Sequence, residues 1–359
     1  MSRSRNAFAV LAASITAALS PQAVAAGFVD VLDTPAQITS LAPKSLMQAV
    51  ARAGNRLVAV GQRGHVVVSA DGGATWKQSP VPVSSDLTAV FFVDAREGWA
   101  VGHDGVILHT SDGGDTWKLQ LDGRKVNALL LAAMKRKADA EPASDAAKKL
   151  LVEAERYQDQ GPDKPFLDVW FADASNGYAV GAYNLIFRTS DGGATWTPWF
   201  DRTDNPKFFN LYAIRPVVGD LYIVGESGLV LKLDAAADRF VALNVDYTGS
   251  FFGVAAAKAS VLAFGLRGSV YRSDDAGASW VKVDAGLPSA VVGTARTARE
   301  ATLLADASGR VVMTDDGGRT FTKLPLKQAA PMTGIVEAGE GRLAFVGPRG
   351  VAVTETTSP

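Results

Sequence analysis

Apolar residues along most of this chain come in short runs broken by Gly, Asp or Asn, a spacing that predicts strands rather than helices. The stretch from residue 87 shows the unit. "LTAVFFVD" is an apolar strand, "GWAVG" a second strand ending in glycine, "VILHTS" a third and "TWKLQ" a fourth. Between the third and fourth stands a box of the form Ser/Thr-x-Asp-x-Gly-x-Thr/Ser-Trp/Phe, centred on Asp112 and Trp117. The box recurs with Asp71 and Trp76, Asp191 and Trp196, Asp275 and Trp280, and Asp316 and Phe321, in steps of 41, 79, 84 and 41 residues. Four strands in about 41 residues is the size of a propeller blade.

The two double steps need separate explanations. Asn210 to Leu243 keeps the strand pattern and the Val-Gly-x-x-Gly turn without a box, so it counts as a repeat. Val126 to Pro165 has neither alternation nor glycine turns. Its Ser144, Leu150, Leu151, Ala154 and Tyr157 give a capped, one-sided helical spacing, so residues 122–165 are expected to be an insertion of two short helices between the second and third repeats. Repeats begin near Leu46, Leu87, Leu167, Leu211, Phe251, Val291 and Met332, which makes seven. Their first strands carry Ala89, Val169, Ala213, Gly253, Gly293 and Gly334 at the centre, with Gln48 the exception, as strands crowded round an axis require. The expected fold is all-β, a seven-bladed propeller over residues 27–359. The seventh repeat supplies only three strands, so Gly27 to Pro35 ("GFVDVLDTP") is expected to serve as its outer strand and close the ring.

Composition changes this picture in three places. The 36 basic and 37 acidic residues nearly cancel, so no global field recruits nucleic acid. Arg3 and Arg5, the apolar run Ala7 to Leu19 and "AVAAG" read as a signal peptide over residues 1–26, predicting a periplasmic protein with no transmembrane segment after cleavage. Cysteine is absent, which removes disulfides, thiolate metal sites and a lipid-bearing cysteine.

The box carboxylates are expected to accept bonds from their own turns and the aromatic rings to wedge between sheets, a structural role for Asp71, Trp76, Asp112, Trp117, Asp191, Trp196, Asp275, Trp280, Asp316 and Phe321. The boxes, joined to "EGWAVGHDGVILHTSDGGDTW" and "NGYAVGAYNLIFRTSDGGATW", resemble the photosystem II stability and assembly factor family of seven-bladed propellers, also described as BNR or Asp-box repeat proteins. The resemblance covers nearly all of the mature chain. It implies a non-enzymatic, chaperone-like factor that binds a membrane protein during assembly through an arginine patch. In non-photosynthetic bacteria, it implies company with RND-type exporters and outer-membrane proteins.

In a blade, the boxes occupy one face and the turns between second and third strands the other. The working face is therefore expected at those turns, where Arg63, His103, Asp104, Tyr183, Glu226, Arg267 and Arg349 are the candidate partner-binding residues. Arg63, Arg267 and Arg349 occupy like positions and suit a carboxylate, phosphate or lipid headgroup. The insertion leaves from this face, either to pack on the propeller or to dock a partner, and its removal is expected to spare the blades. His65, His103 and His109 lack metal-ligand spacing, and no metal or cofactor is expected. The first functional expectation is a scaffold or assembly factor for a membrane or envelope complex. A lipid- or anion-binding accessory is the second. A sialidase-like glycosidase is the third, resting on Arg215-Pro216, which resembles the Arg-Ile-Pro element of such enzymes.

Overall fold

The computed structural model describes residues 29–339 and 341–356. The expected signal peptide lies outside the described residues. Seven antiparallel sheets follow one another along the chain, the first six of four strands and the last of three, each meandering in sequence order. The chain is a seven-bladed β-propeller. Its innermost strands, Met47–Ala53, Leu87–Phe92, Phe166–Phe171, Leu211–Val217, Phe251–Ala257, Val291–Arg296 and Gly334–Gly339, line one central channel. Second strands such as Gly98–Gly102 are buried at every residue, because each is covered on both faces by neighbouring blades. Trp99, for example, stacks on Phe171 of the next blade at 3.5 Å between ring centroids.

Each of the first six inner strands carries a bulge near its start, and the pairing across it fixes which residues are equivalent. Met47 matches Leu87 and Phe166, so blades one and three begin one residue away from the starts read in the sequence. The small residue of blade one is therefore Ala49, and Gln48 is no exception. Blade three departs instead, with Asp168 rather than Val169 at that level of the ring.

The boxes hold their turns closed as expected. In blade two, Asp112 Oδ1 accepts from Thr110 Oγ1 at 2.7 Å and Thr116 N at 3.0 Å, while Oδ2 accepts from Thr116 Oγ1 at 2.6 Å. Trp117 is buried and donates its indole N–H to Gly114 O at 3.1 Å. The same bonds recur around Asp71, Asp191, Asp275 and Asp316. Boxes also bind the preceding blade, since Ser79 Oγ donates to Gly114 O at 2.6 Å and Gln120 Nε2 to Gly192 O at 2.8 Å. Blade four, without a box, makes an Asp turn in which Asp234 Oδ1 accepts from Ala236 N and Ala237 N, both at 3.0 Å.

The N-terminal segment does not form the outer strand of blade seven. Gly27 and Phe28 lie outside the described residues, and Val31–Asp33 is a short 3-10 turn capped by Asp30. Ser84 N donates to Val31 O at 2.9 Å and Ala36 N to Val81 O at 3.0 Å, which fixes the segment beside the passage from blade one to blade two. Two forces divert it. Leu32 and Ala36 bury themselves with Val81 and Val83, and Pro35 has no N–H for a ladder. The ring closes instead by packing blade seven on blade one: Thr333 Oγ1 donates to Met47 O at 2.8 Å, and Val346 joins Met47 and Ala59 in one buried cluster.

The insertion is a helical hairpin, α1 (Gly123–Ala140) and α2 (Asp145–Gln160), capped by Asp122 and Ser144. Val126, Leu130 and Met134 fall four residues apart on one face of α1, and with Ala154 and Tyr157 they bury against Phe166, Phe187 and Phe200 of blade three. The expectation that the blades do not depend on the insertion is therefore corrected. Its apolar face completes the core of blades two and three.

Three outcomes follow. Trp117→Ala should lower stability by about 3 kcal/mol through the cavity it leaves, and Asp112→Ala by about 1 to 2 kcal/mol through orphaned turn donors, both read from urea unfolding. Excising residues 124–160 with a short bridge should uncover the blade-three aromatics and give a protein that aggregates or melts several degrees lower; unchanged melting would show that the hairpin is an appendage. The box carboxyls are all held below the usual carboxylate range by the bonds they accept, Asp275 to about 2 through Ser279 and then Ser273. For Asp112, burial opposes this but is outweighed by Thr116 and Thr110. Because the folded values lie below the unfolded ones, this stabilisation is complete above about pH 4 and is lost as pH falls toward 2. The urea midpoint should drop over that window, and less so in Asp275→Asn.

Candidate functional site

The turns between second and third strands share one course in blades one to five. Their central residues Arg63, Asp104, Tyr183, Ser227 and Arg267 have φ between 52° and 58°, and a second left-handed residue follows each. A non-glycine residue pays about 1 kcal/mol for that conformation, so it persists only where bonds enforce it. They do here. Arg63 N donates to Asp86 Oδ1 at 2.7 Å and Tyr183 N to Asn210 Oδ1 at 2.8 Å, each acceptor belonging to the next blade. Blade six replaces the turn glycine with Asp306, whose Oδ1 accepts from Ser308 N and Arg310 N, both at 3.0 Å, and blade seven has the two-residue turn Pro348-Arg349.

The helical hairpin emerges on this same face and divides the candidate residues into two groups. Over blades two and three the hairpin borders the turns, although the Tyr183 side chain stays exposed. Tyr157 Oη donates to Tyr183 O at 2.5 Å, and Arg156 and Lys164 lie 5.9 and 6.0 Å from the Tyr183 ring. Asp104 O is pressed against Gly123 at the start of α1. Glu226 Oε2, in blade four, accepts from Asn210 N at 3.3 Å. His103 is exposed while its backbone N–H donates to Asp86 O. Outside the hairpin, Arg63, Arg267 and Arg349 are exposed, and their guanidinium groups make no hydrogen bond or ion pair among the described residues. They stand on blades one, five and seven, around the open sector rather than in one pocket.

Arg63 borders a hollow with Thr34, Leu41, Lys44 and His65. Burial, then the charge of Arg63, lowers the His65 pKa against the pull of Asp86, and its Nδ1 lies 3.0 Å from Ser45 Oγ. His109 pairs with Glu97 at 2.8 Å. No cluster of His, Asp and Glu that could hold a metal occurs among the described residues.

The central channel holds a second feature that the shifted starting points hid. Asp168 is buried at the ring level where the other blades carry Ala or Gly, and its carboxylate accepts from Ile214 N at 2.8 Å, Val169 N at 2.9 Å and Arg215 Nη1 at 2.5 Å. Burial pushes this carboxyl above its ordinary value, and Arg215 with the two N–H donors opposes the push. The pair clamps blade three to blade four. The same Nη1 also donates to Ile214 O, so the arginine behind the sialidase-like resemblance is engaged by the scaffold. Reading the bulge into the repeat would have exposed Asp168. The Arg156, Lys164 and Tyr183 cleft had no signal in the sequence, because it joins a helix to a turn 27 residues away.

The Photosystem II assembly lipoprotein Ycf48 of Synechococcus sp. (strain CC9902) is 27% identical over 161 residues, 44% of this chain and 48% of that protein. The chain thus spans about half the length of the curated relative it matches. Among solved structures, YCF48 bound to D1 peptide superimposes with TM-score 0.61 at 15% identity, covering 88% of this chain and 95% of that one. Virginiamycin B lyase from Staphylococcus aureus superimposes with TM-score 0.63 at 10% identity, covering 90% and 99%, a likeness of fold alone. The family model of the photosynthesis system II assembly factor YCF48 matches residues 44–144 and 154–350, so the chain belongs to that family.

Proposed function

We propose that this chain is a non-enzymatic, exported assembly factor that binds an exposed segment of a membrane protein at the turn face. Family membership supports the class of activity, and the solved relative that holds a D1 peptide supports a polypeptide ligand. The observation that carries the choice of face is the contrast between its charges and those opposite. Asp71, Asp112, Asp191, Asp275 and Asp316 are each bonded within their own turns, whereas Arg63, Arg267 and Arg349 are exposed and unpaired among the described residues, two of them on turns whose central residue is left-handed. Such guanidinium groups suit the acidic side chains or terminal carboxylate of a partner. The partner class proposed is an envelope membrane complex, with RND-type exporters the first to test. The periplasm is the proposed location, and among the described residues no helix is long and apolar enough to cross a membrane.

The triple variant Arg63→Glu, Arg267→Glu, Arg349→Glu should melt within about two degrees of wild type, because exposed charges contribute little to stability. It should lose at least tenfold in capture of solubilised envelope complexes, scored by quantitative mass spectrometry. Ser111→Glu with Ser190→Glu, on the box face, should bind as wild type does. Loss in the box-face variant with retention in the triple variant would overturn the assignment. Binding of wild type to anionic but not neutral vesicles, with no protein captured, would favour a lipid-headgroup accessory instead.

A further inference from the structure

Blade seven differs from the other six at its rim. In the complete blades the outermost strand is short and carries a Lys, Arg or Pro: Lys77–Ser79, Lys118–Leu121, Thr197–Pro198, Arg239–Leu243, Val281–Val283 and Thr322–Leu324. These are devices that keep a sheet edge from pairing with another chain. In blade seven the edge is instead the third strand, Gly350–Glu355, six residues reading Gly-Val-Ala-Val-Thr-Glu. It carries none of those devices.

The register says which of its groups are on offer. Gly350 pairs with Gly347 across a two-residue turn, and Thr356 N donates to Gly341 O at 2.9 Å, so even-numbered residues face the neighbouring strand. Val351, Val353 and Glu355 point their N–H and C=O outward. Glu355 O accepts from Lys327 N at 3.3 Å, where residues 326–328 run antiparallel along the far end of the strand. Those of Val351 and Val353 have no partner among the described residues. The two faces of the strand are covered: Val353 packs against Gly73 in the box of blade one, and Ala352 against the cluster of Met313 and Leu324 from blade six. Only the edge is open.

The described N-terminal segment leads away from this edge, crossing blade one to lie beside Ser84, in the passage to blade two, and Arg124 of α1.

We infer that the outer edge of blade seven is a strand-addition site, at which an extended segment of the partner polypeptide pairs antiparallel with Val351 to Val353. The inference rests on the reading above that the ligand is a polypeptide. Main-chain bonds to Val351 and Val353 supply the affinity. The required ligand is a short uncharged stretch of β-branched residues without proline.

The test uses the full chain and heptapeptides selected on it from a random displayed library. Amide hydrogen exchange should show Val351 and Val353 unprotected in the free protein and protected at least tenfold by the selected peptide. Val353→Pro removes an outward N–H that the sheet does not use, so it should still fold, melting a few degrees lower through the lost side-chain contact with Gly73, and lose at least tenfold in peptide affinity. The Arg63, Arg267, Arg349 triple variant should still bind the peptide. Peptides that bind Val353→Pro as wild type, or that protect the turns and not the edge, would overturn the site while leaving the assembly-factor reading in place. Should Val353→Pro fail to fold, the exchange measurement on wild type decides alone. Protection already present in the free monomer but lost on removing residues 1–28 would assign the edge to this chain's own N-terminus and overturn the proposal. Protection that grows with protein concentration would assign it to a second copy, with the same consequence.

Discussion

Seven sheets that meet edge-on around one axis must give up side-chain volume where their first strands converge, and this crowding governs the rest of the molecule. Ala49, Ala89, Ala213, Gly253, Gly293 and Gly334 meet the demand by being small, and in all but the last of these strands a bulge at the start aims them there. Asp168 meets it differently. A carboxylate fits in the same ring only because Arg215, the N–H of Ile214 in the next blade and the N–H of Val169 in its own strand satisfy it, which turns a steric exception into a bond between blades three and four.

Once the inner strands are set, each blade has to hold its neighbour at a fixed angle without covalent help, since the chain contains no cysteine. The boxes do this at the outer rim on one side. Their carboxylates rigidify the turn, and the turn glycines present carbonyls to the preceding blade, as Gly114 does to Ser79 and Gly192 to Gln120. On the other side the turns between second and third strands are tied to the following blade through Asp86 and Asn210. The five box aspartates of one face are thereby engaged by their own turns. The other keeps charged residues free at its turns, and there the helical hairpin buries an apolar stripe over blades two and three, leaving the arginines in the remaining sector.

Ring closure shows how far packing alone carries the design. Among the described residues blade seven meets blade one through Thr333, Met47 and Val346 with no exchanged strand, so the joint uses the same kind of contact as the other six. The consequence is local. The third strand of blade seven is left as a rim whose outward groups are only partly met by residues 326–328.

The sequence by itself determined the repeat, the number of blades, the role of the boxes and the presence of a capped helical insertion. Each of these is written in residues close together in the chain: an Asp accepts from a Thr four positions on, and a Ser caps the helix that follows it. Only the tertiary structure decided which residue of a bulged strand reaches the axis, which displaced Val169 in favour of Asp168, because a bulge shifts the facing of every later residue by one. It alone decided that Leu32 and Ala36 draw the N-terminal segment to blade one rather than blade seven, since the competing pockets are built from residues tens of positions away. It decided, too, how the turn residues are placed: the Tyr183 carbonyl and Asp104 meet a hairpin whose course over the face depends on the burial of Leu130 and Tyr157, while the Tyr183 ring stays exposed, a matter of three-dimensional fit that no local spacing encodes.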